Sequence, residues 1–216
     1  MILVSQWYTP GEEQRRKELQ RCRSLNEASG LFDVVEYLDG DSRRWSFGEL
    51  VNHCNEKYAG KSCVIANTDI ALDSSYGLRS FCKENRLVAL TRWENPTGPR
   101  FIGHQGGDRY FSGSQDSWAF IAGSMPPVDI DIPMGVVACD NVIVGWAVRN
   151  GVEVVNPAIS VRTMHHHEDK SRPERHSVFG YYGYPELTAS TTTGSVLCHH
   201  WPTLDGRYEM EMEIKP

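Results

Sequence analysis

The first ninety residues alternate apolar runs of strand length with polar stretches of helix length, and this alternation restricts the fold more than any other feature of the chain. Residues 1–8 read as a first strand, after which Pro10-Gly11 turns the chain. The polar stretch 12–29 carries Leu19, Cys22, Leu25 and Ala28 at three-residue steps, which predicts an amphipathic helix closed by Gly30. Residues 31–38 read as a second strand. Ser46 and Glu49 then stand at the spacing of a capping box and predict a helix over 47–56. Residues 63–68 and 87–91 are further strands, with Asp73, Ser74 and Ser75 as caps for a third helix through Leu78, Phe81 and Cys82. A β-α-β-α-β-α-β order implies a Rossmann-type α/β domain, a mostly parallel sheet with helices on its faces.

The order breaks at Glu94. Residues 95–108 are rich in Gly and Pro and read as a long surface loop, of the kind that tends to be functional. Residues 114–122 settle into a strand, 142–150 into a helix ended by Gly151, and 152–155 into another strand. Tyr208 to Ile214 alternates as a half-exposed strand. At 216 residues, 40% hydrophobic and 23% charged, one globular domain suffices. No run approaches the ~20 apolar residues of a membrane span. The start lacks the basic and apolar segments of a signal peptide. The six cysteines include no C-x-x-C pair, so the expectation is a reduced, cytoplasmic protein. A net charge of −6 argues against non-specific attraction to nucleic acid. No Walker-type phosphate loop and no G-x-S-x-G elbow is present.

Polar groups follow or precede the apolar runs at Asn67/Asp69, Ser114-Gln115-Asp116, Cys139-Asp140-Asn141 and His165-His166-His167. Open α/β sheets bind ligands at the carboxyl ends of their strands, so these groups are expected to converge. Asp69, at the end of a buried strand, can hold Mg²⁺ or Mn²⁺ against a diphosphate, or simply lead into a turn. Asp140, just before a helix, is favoured as a carboxylate by the helix dipole, which suits a general base as well as an N-cap. On an extended backbone His165 and His167 share one face and His166 takes the other, so two histidines can share a metal, unless the run is a solvated loop. Asp116 is either a ligand for a sugar hydroxyl or a polar strand start. Arg15, Arg16, Lys17, Arg21 and Arg23 either meet phosphates or form a solvated face.

Taken in order, Ala66-Asn67-Thr68-Asp69-Ile70, Leu90-Thr91-Arg92-Trp93, Ser114 to Phe120, Cys139-Asp140-Asn141, Asn156-Pro157 and His165 to His167 resemble the nucleotide-sugar glycosyltransferases of the GT-A fold. The resemblance implies a single domain with a nucleotide-sugar-binding half (1–94), an acceptor and catalytic half (95–170) and a C-terminal extension (171–216). It implies a divalent cation, Mn²⁺ or Mg²⁺, held by Asp69 with His165 or His167, and a nucleotide-diphosphate sugar, expected to be a UDP-sugar, as donor. Asn67 takes the place of the first carboxylate of a D-x-D-like element. Arg16 and Glu18 look like part of the nucleotide-side helix, and Gln6, Arg92 and Asn141 are likewise expected on the donor. Asp116 and Trp118 would line the sugar and acceptor pocket, Asp140 would deprotonate the incoming hydroxyl, and Asp116 is expected beside it as a second catalytic carboxylate. The acceptor would be a glycan or a hydroxymethylated DNA base. Arg162, Arg172 and Arg175 would then meet phosphates, and Trp93, Trp118 and Tyr181 would receive an extruded base. The alternatives on the same sheet are a sugar-phosphate nucleotidyltransferase and an inert sugar-nucleotide-binding module.

Overall fold

A computed structural model describes residues 1–95, 98–99, 102–103, 110–111, 115–136, 139–158 and 160–167. The strand expected at 208–214, most of the Gly/Pro-rich loop, Ser114, Arg172, Arg175, Tyr181 and Cys198 lie outside them.

The elements in chain order are β1 (Ile2–Trp7), α1 (Glu13–Ala28), β2 (Val34–Asp39), α2 (Phe47–Tyr58), β3 (Ser62–Ala66), β4 (Ile70–Ala71), α3 (Leu78–Phe81) and β5 (Arg86–Thr91). They continue as β6 (Trp93–Asn95), β7 (Gly98–Pro99), β8 (Ile102–Gly103), β9 (Tyr110–Phe111), β10 (Gln115–Ile121), α4 (Cys139–Arg149), β11 (Glu153–Val155) and β12 (Met164–His165). A six-stranded sheet runs β11-β5-β10-β3-β1-β2, and only β10 is antiparallel to its neighbours. The expected α/β domain with a mostly parallel sheet flanked by helices is therefore present. A small second sheet, β4-β12-β6-β7, stands beside it, and β8 pairs with β9.

Alternation along each central strand feeds two cores, one per face. Ile2, Val4, Cys63, Ile65, Leu87, Ala89, Trp118 and Phe120 join α2 and α4 on one side. Leu3, Val64, Ala66, Val88, Leu90 and Ala119 pack with Ile70, Leu72 and Leu78 on the other. The cysteines of the described residues are free thiols, and Cys22, Cys54, Cys63 and Cys139 fill core positions as small apolar groups. Among the described residues no helix is long and apolar enough to cross a membrane.

The capping box forms as expected: Ser46 accepts from the Glu49 amide, and the Glu49 side chain accepts from the Ser46 amide. The stripe of α1 differs from expectation. Its buried residues are Glu18, Leu19, Cys22 and Asn26, because three-residue steps drift around a helix and only a 3.6-residue period stays on one face. The third helix shrinks to Leu78–Phe81 behind Gly77, whose φ of 83° breaks any longer run, and Ser75 donates to the Arg162 carbonyl instead of capping.

The front of α2 is pressed against residues 128–132. A Cβ on Gly48 would lie 2.6 Å from the Ile130 carbonyl oxygen. Gly48→Ala gains about 1 kcal/mol in helix propensity, and the backbone collision outweighs it. The expected outcome is a net loss of about 1–2 kcal/mol in chemical denaturation. At the far end of α2, Glu36 on β2 accepts from Lys57 Nζ at Oε1 (2.6 Å) and from Tyr58 Oη (2.7 Å) and His53 Nε2 (3.0 Å) at Oε2. Burial opposes the carboxylate, but these hydrogen bonds prevail and hold its pKa down to about 2. A depressed folded-state pKa contributes stability at pH above the ordinary carboxylate value, and that stability drains away as pH falls toward 2. Glu36→Gln should cost about 1–2 kcal/mol at pH 7 and flatten the stability profile between pH 5 and 2, as read from urea midpoints.

Candidate functional site

The loop leaving β3 is fixed by its neighbours on both sides. Thr68 Oγ1 donates to the Gln6 carbonyl at 2.9 Å, Ser5 Oγ to the Ala66 carbonyl at 2.8 Å, and the Ile70 amide to the Asn67 carbonyl at 3.1 Å. Because β10 runs antiparallel, with Ser117 opposite Ala66, its first residues and not its last lie at the carboxyl edge of β3. The Asn67 amide donates to the Asp116 carbonyl at 2.9 Å, and Asn67 Nδ2 donates to Asp116 Oδ1 at 2.7 Å. Arg92 Nη1 donates to Asp116 Oδ2 at 2.7 Å, both side chains being largely buried. Asp140 stands in the first turn of α4, followed by Asn141, and its Oδ2 accepts from the Gln115 amide at 3.2 Å. Burial, reinforced by the Asp140 and Asp116 carboxylates, pushes the Cys139 thiol well up, so it is no nucleophile.

A second cluster surrounds Asp69. Strand β12 pairs antiparallel with β4, His165 opposite Ile70, and the His166 amide donates to the Asp69 carbonyl at 3.0 Å. The alternation then turns His165 and His167 to the same side, where their rings stack 5.4 Å apart. His165 Nε2 lies 3.2 Å and His167 Nδ1 4.0 Å from Asp69 Oδ2. One ligand atom from each of Asp69, His165 and His167 falls within 4.8 Å of the others, a group able to hold a metal ion. One carboxylate and two imidazoles form a mixed oxygen and nitrogen donor set that suits a divalent transition-metal ion such as Fe²⁺, Zn²⁺ or Mn²⁺. His167 Nε2 is buried with no partner among the described residues.

The charge beside this group comes from α1. Arg15 Nη2 donates to Asp69 Oδ2 at 2.6 Å, and Arg15 Nη1 reaches His167 Nδ1 at 2.7 Å and Glu18 Oε2 at 2.9 Å. Burial disfavours the Asp69 carboxylate, but the hydrogen bond and charge of His165, together with Arg15, overcome it and leave the group far below the usual carboxylate range. Burial likewise works against the Arg15 guanidinium and is outweighed by Asp69 and Glu18. His167 is pushed down by burial, Arg15 and His165, toward the neutral form that coordinates metals.

Comparison of the chain with protein-family models and with curated proteins finds no match. The site is therefore read from its own geometry.

That geometry places the expected residues in different situations. Asp69, His165 and His167 meet. Asn67, Asp116 and Arg92 meet in a network of their own, joined to Asp69 along the chain through Thr68. Gln6, expected on the donor, accepts from the Trp45 amide through Oε1 at 3.1 Å. Arg16 turns back to the Pro10 and Gly11 carbonyls, while its neighbour Arg15 meets Asp69, since adjacent helical residues point about 100° apart. Trp118, expected to line the pocket, is fully buried against Phe47 in the core. Trp93 is buried as well, its Nε1 donating to the Ala158 carbonyl at 2.7 Å and its ring covered by Arg162. Asn156 closes the end of β5: Oδ1 accepts from the Thr91 amide at 3.1 Å and Nδ2 donates to Thr91 Oγ1 at 2.7 Å. Arg15 was one basic residue among several in the sequence. Only its place on the stripe shared with Glu18, Leu19, Cys22 and Asn26 marks it out.

Asn67 is an amide for a physical reason. Its Nδ2 donates to a carboxylate that Arg92 also holds, whereas a carboxylate at 67 would face Asp116 with no proton to offer. Asn67→Asp should destabilise the fold by about 1–3 kcal/mol at pH 7. The loss should shrink below pH 5 as one of the two carboxyls takes a proton, measured by melting temperature across pH.

Proposed function

We propose that the chain is a metal-dependent glycosyltransferase of GT-A type, transferring a sugar from a nucleotide-diphosphate sugar, expected to be a UDP-sugar, to an acceptor hydroxyl. The observation that carries this is the convergence of Asp69 from the end of β3 with His165 and His167 at the other limit of the described chain, ligand atoms within 4.8 Å. Bound there, Mn²⁺ or Mg²⁺ would neutralise the charge that grows on the leaving diphosphate.

The protein's own groups supply the rest. Asp69, His165 and His167 would hold the cation, whose charge would favour the diphosphate beside them. Asp140, in the first turn of α4 and beside the start of β10, takes the proton from the acceptor hydroxyl. The acceptor oxygen bonds to the anomeric carbon as the bond from that carbon to the diphosphate breaks. Asp116 has both oxygens engaged by Asn67 and Arg92, which suits a positioning role better than that of a base. The burial of Trp93 and Trp118 removes two stacking partners for an extruded base and favours a carbohydrate acceptor over hydroxymethylated DNA.

The test is incubation with a panel of nucleotide sugars and Mn²⁺, with and without soluble glycans or hydroxymethylated DNA. Release of nucleoside diphosphate is expected, accelerated by glycan. Asp69→Ala, and Asp69→Asn at constant shape, should abolish Mn²⁺-dependent donor binding. Asp140→Asn should bind donor normally and lose about 10²–10⁴-fold in transfer. Pyrophosphate from NTP and sugar phosphate would assign a nucleotidyltransferase instead, and donor binding without turnover an inert module.

A further inference from the structure

We propose that Arg15 is a built-in occupant of the cation site, so that a divalent ion binds at Asp69, His165 and His167 only by displacing the Arg15 guanidinium from it. The inference rests on the cation-site assignment made above, and it concerns α1, which supplies none of the ligands.

Arg15 occupies two of the three side chains a metal ion would bind. Nη2 takes Asp69 Oδ2 at 2.6 Å, and Nη1 takes His167 Nδ1 at 2.7 Å. A guanidinium is a donor only, so His167 Nδ1 must present its lone pair to Arg15 and carry the ring proton on Nε2. That Nδ1 stands 4.0 Å and His165 Nε2 3.2 Å from the same Asp69 Oδ2, so the atoms Arg15 holds are ones through which the group with His165 can bind a metal ion. The two cations exclude each other: a guanidinium and a divalent ion a few ångströms apart repel, and the single lone pair of His167 Nδ1 serves Arg15 or the metal ion but not both.

The departure of Arg15 is also provided for. Nη1 is bonded to Glu18 Oε2 at 2.9 Å one turn along the helix, so the guanidinium keeps a carboxylate partner when it leaves Asp69. The Arg15 side chain is 16% exposed and Glu18 4%, which leaves the arginine an outward path while its partner stays inside. Arg15 thus compensates the Asp69 charge in the metal-free protein and raises the cation concentration needed to fill the site.

The experiment measures Mn²⁺ binding by electron paramagnetic resonance, with melting temperature alongside, for the wild type, Arg15→Met, Arg15→Lys and Asp69→Asn. Arg15→Met should bind Mn²⁺ at least tenfold more tightly than wild type. It should melt lower without metal and gain more from saturating Mn²⁺. Arg15→Lys keeps the charge but cannot span Asp69 and His167 together, so it should fall between the two. If Arg15→Met does not fold, Arg15→Lys decides: tightening of threefold or more supports the proposal, and unchanged or weaker binding overturns it. Equal Mn²⁺ binding by wild type and Arg15→Met, lost in Asp69→Asn, overturns the role of Arg15 and leaves the cation site standing. Absence of Mn²⁺ binding in every variant removes the cation site and this inference with it.

Discussion

Strand β10 runs against the rest of the sheet, and the arrangement of the polar edge depends on that reversal. In a wholly parallel sheet a polar group ahead of a strand lies at the edge opposite to one that follows a strand. Antiparallel insertion between β3 and β5 brings the start of β10 to where β3 and β5 end. Asp116 thereby meets Asn67 from one neighbour and Arg92 from just beyond the other. The Gln115 amide also reaches Asp140 at the mouth of α4. Burying Asp116 and Arg92 together is tolerable because each oxygen of the carboxylate has its own donor.

A second dependence runs through the short strand β4. Two residues form no sheet by themselves, and β4 is held from both sides. Asn26 of α1 donates to the Ile70 carbonyl at 3.0 Å and accepts from the Leu72 amide at 2.7 Å, so one side chain replaces a missing strand. β12 supplies the other side and with it the histidines. The helix that fastens β4 also carries Arg15 to Asp69, which couples the placing of the candidate metal ligands to the placing of their counter-charge.

Much of this was legible in the sequence where a single element decides the outcome. The strand and helix alternation, the Ser46/Glu49 capping box and the shared face of His165 and His167 each follow from local period or spacing. The misplaced features depend on a neighbour. Leu25 and Ala28 belong to a three-residue pattern, yet the surface α1 packs on selects Glu18 and Asn26. Ser75 has the chemistry of a cap but is taken by the Arg162 carbonyl. Trp118 lies two residues from Asp116 and still faces the core, because packing against Phe47 settles its side. The direction of β10 leaves no mark on its own residues, and so neither does the network around Asp116.

The carboxylates of the site differ by what already surrounds them. Asp69 is held by the Arg15 guanidinium with two histidines beside it, and Arg15 is the partner with an alternative in Glu18. That corner can exchange one cation for another without leaving a buried anion uncompensated. Asp116 has no such freedom: Asn67 and Arg92 are themselves buried or tied to the backbone loop, and moving either would strand a polar group. Asp140 is held by a backbone amide, a partner that stays in place whatever its charge does, and the helix dipole favours its ionised form. A group that must gain and lose a proton within a fixed scaffold is best placed there, and for this reason the proposed glycosyl transfer gives the proton-accepting role to Asp140 and the positioning role to Asp116.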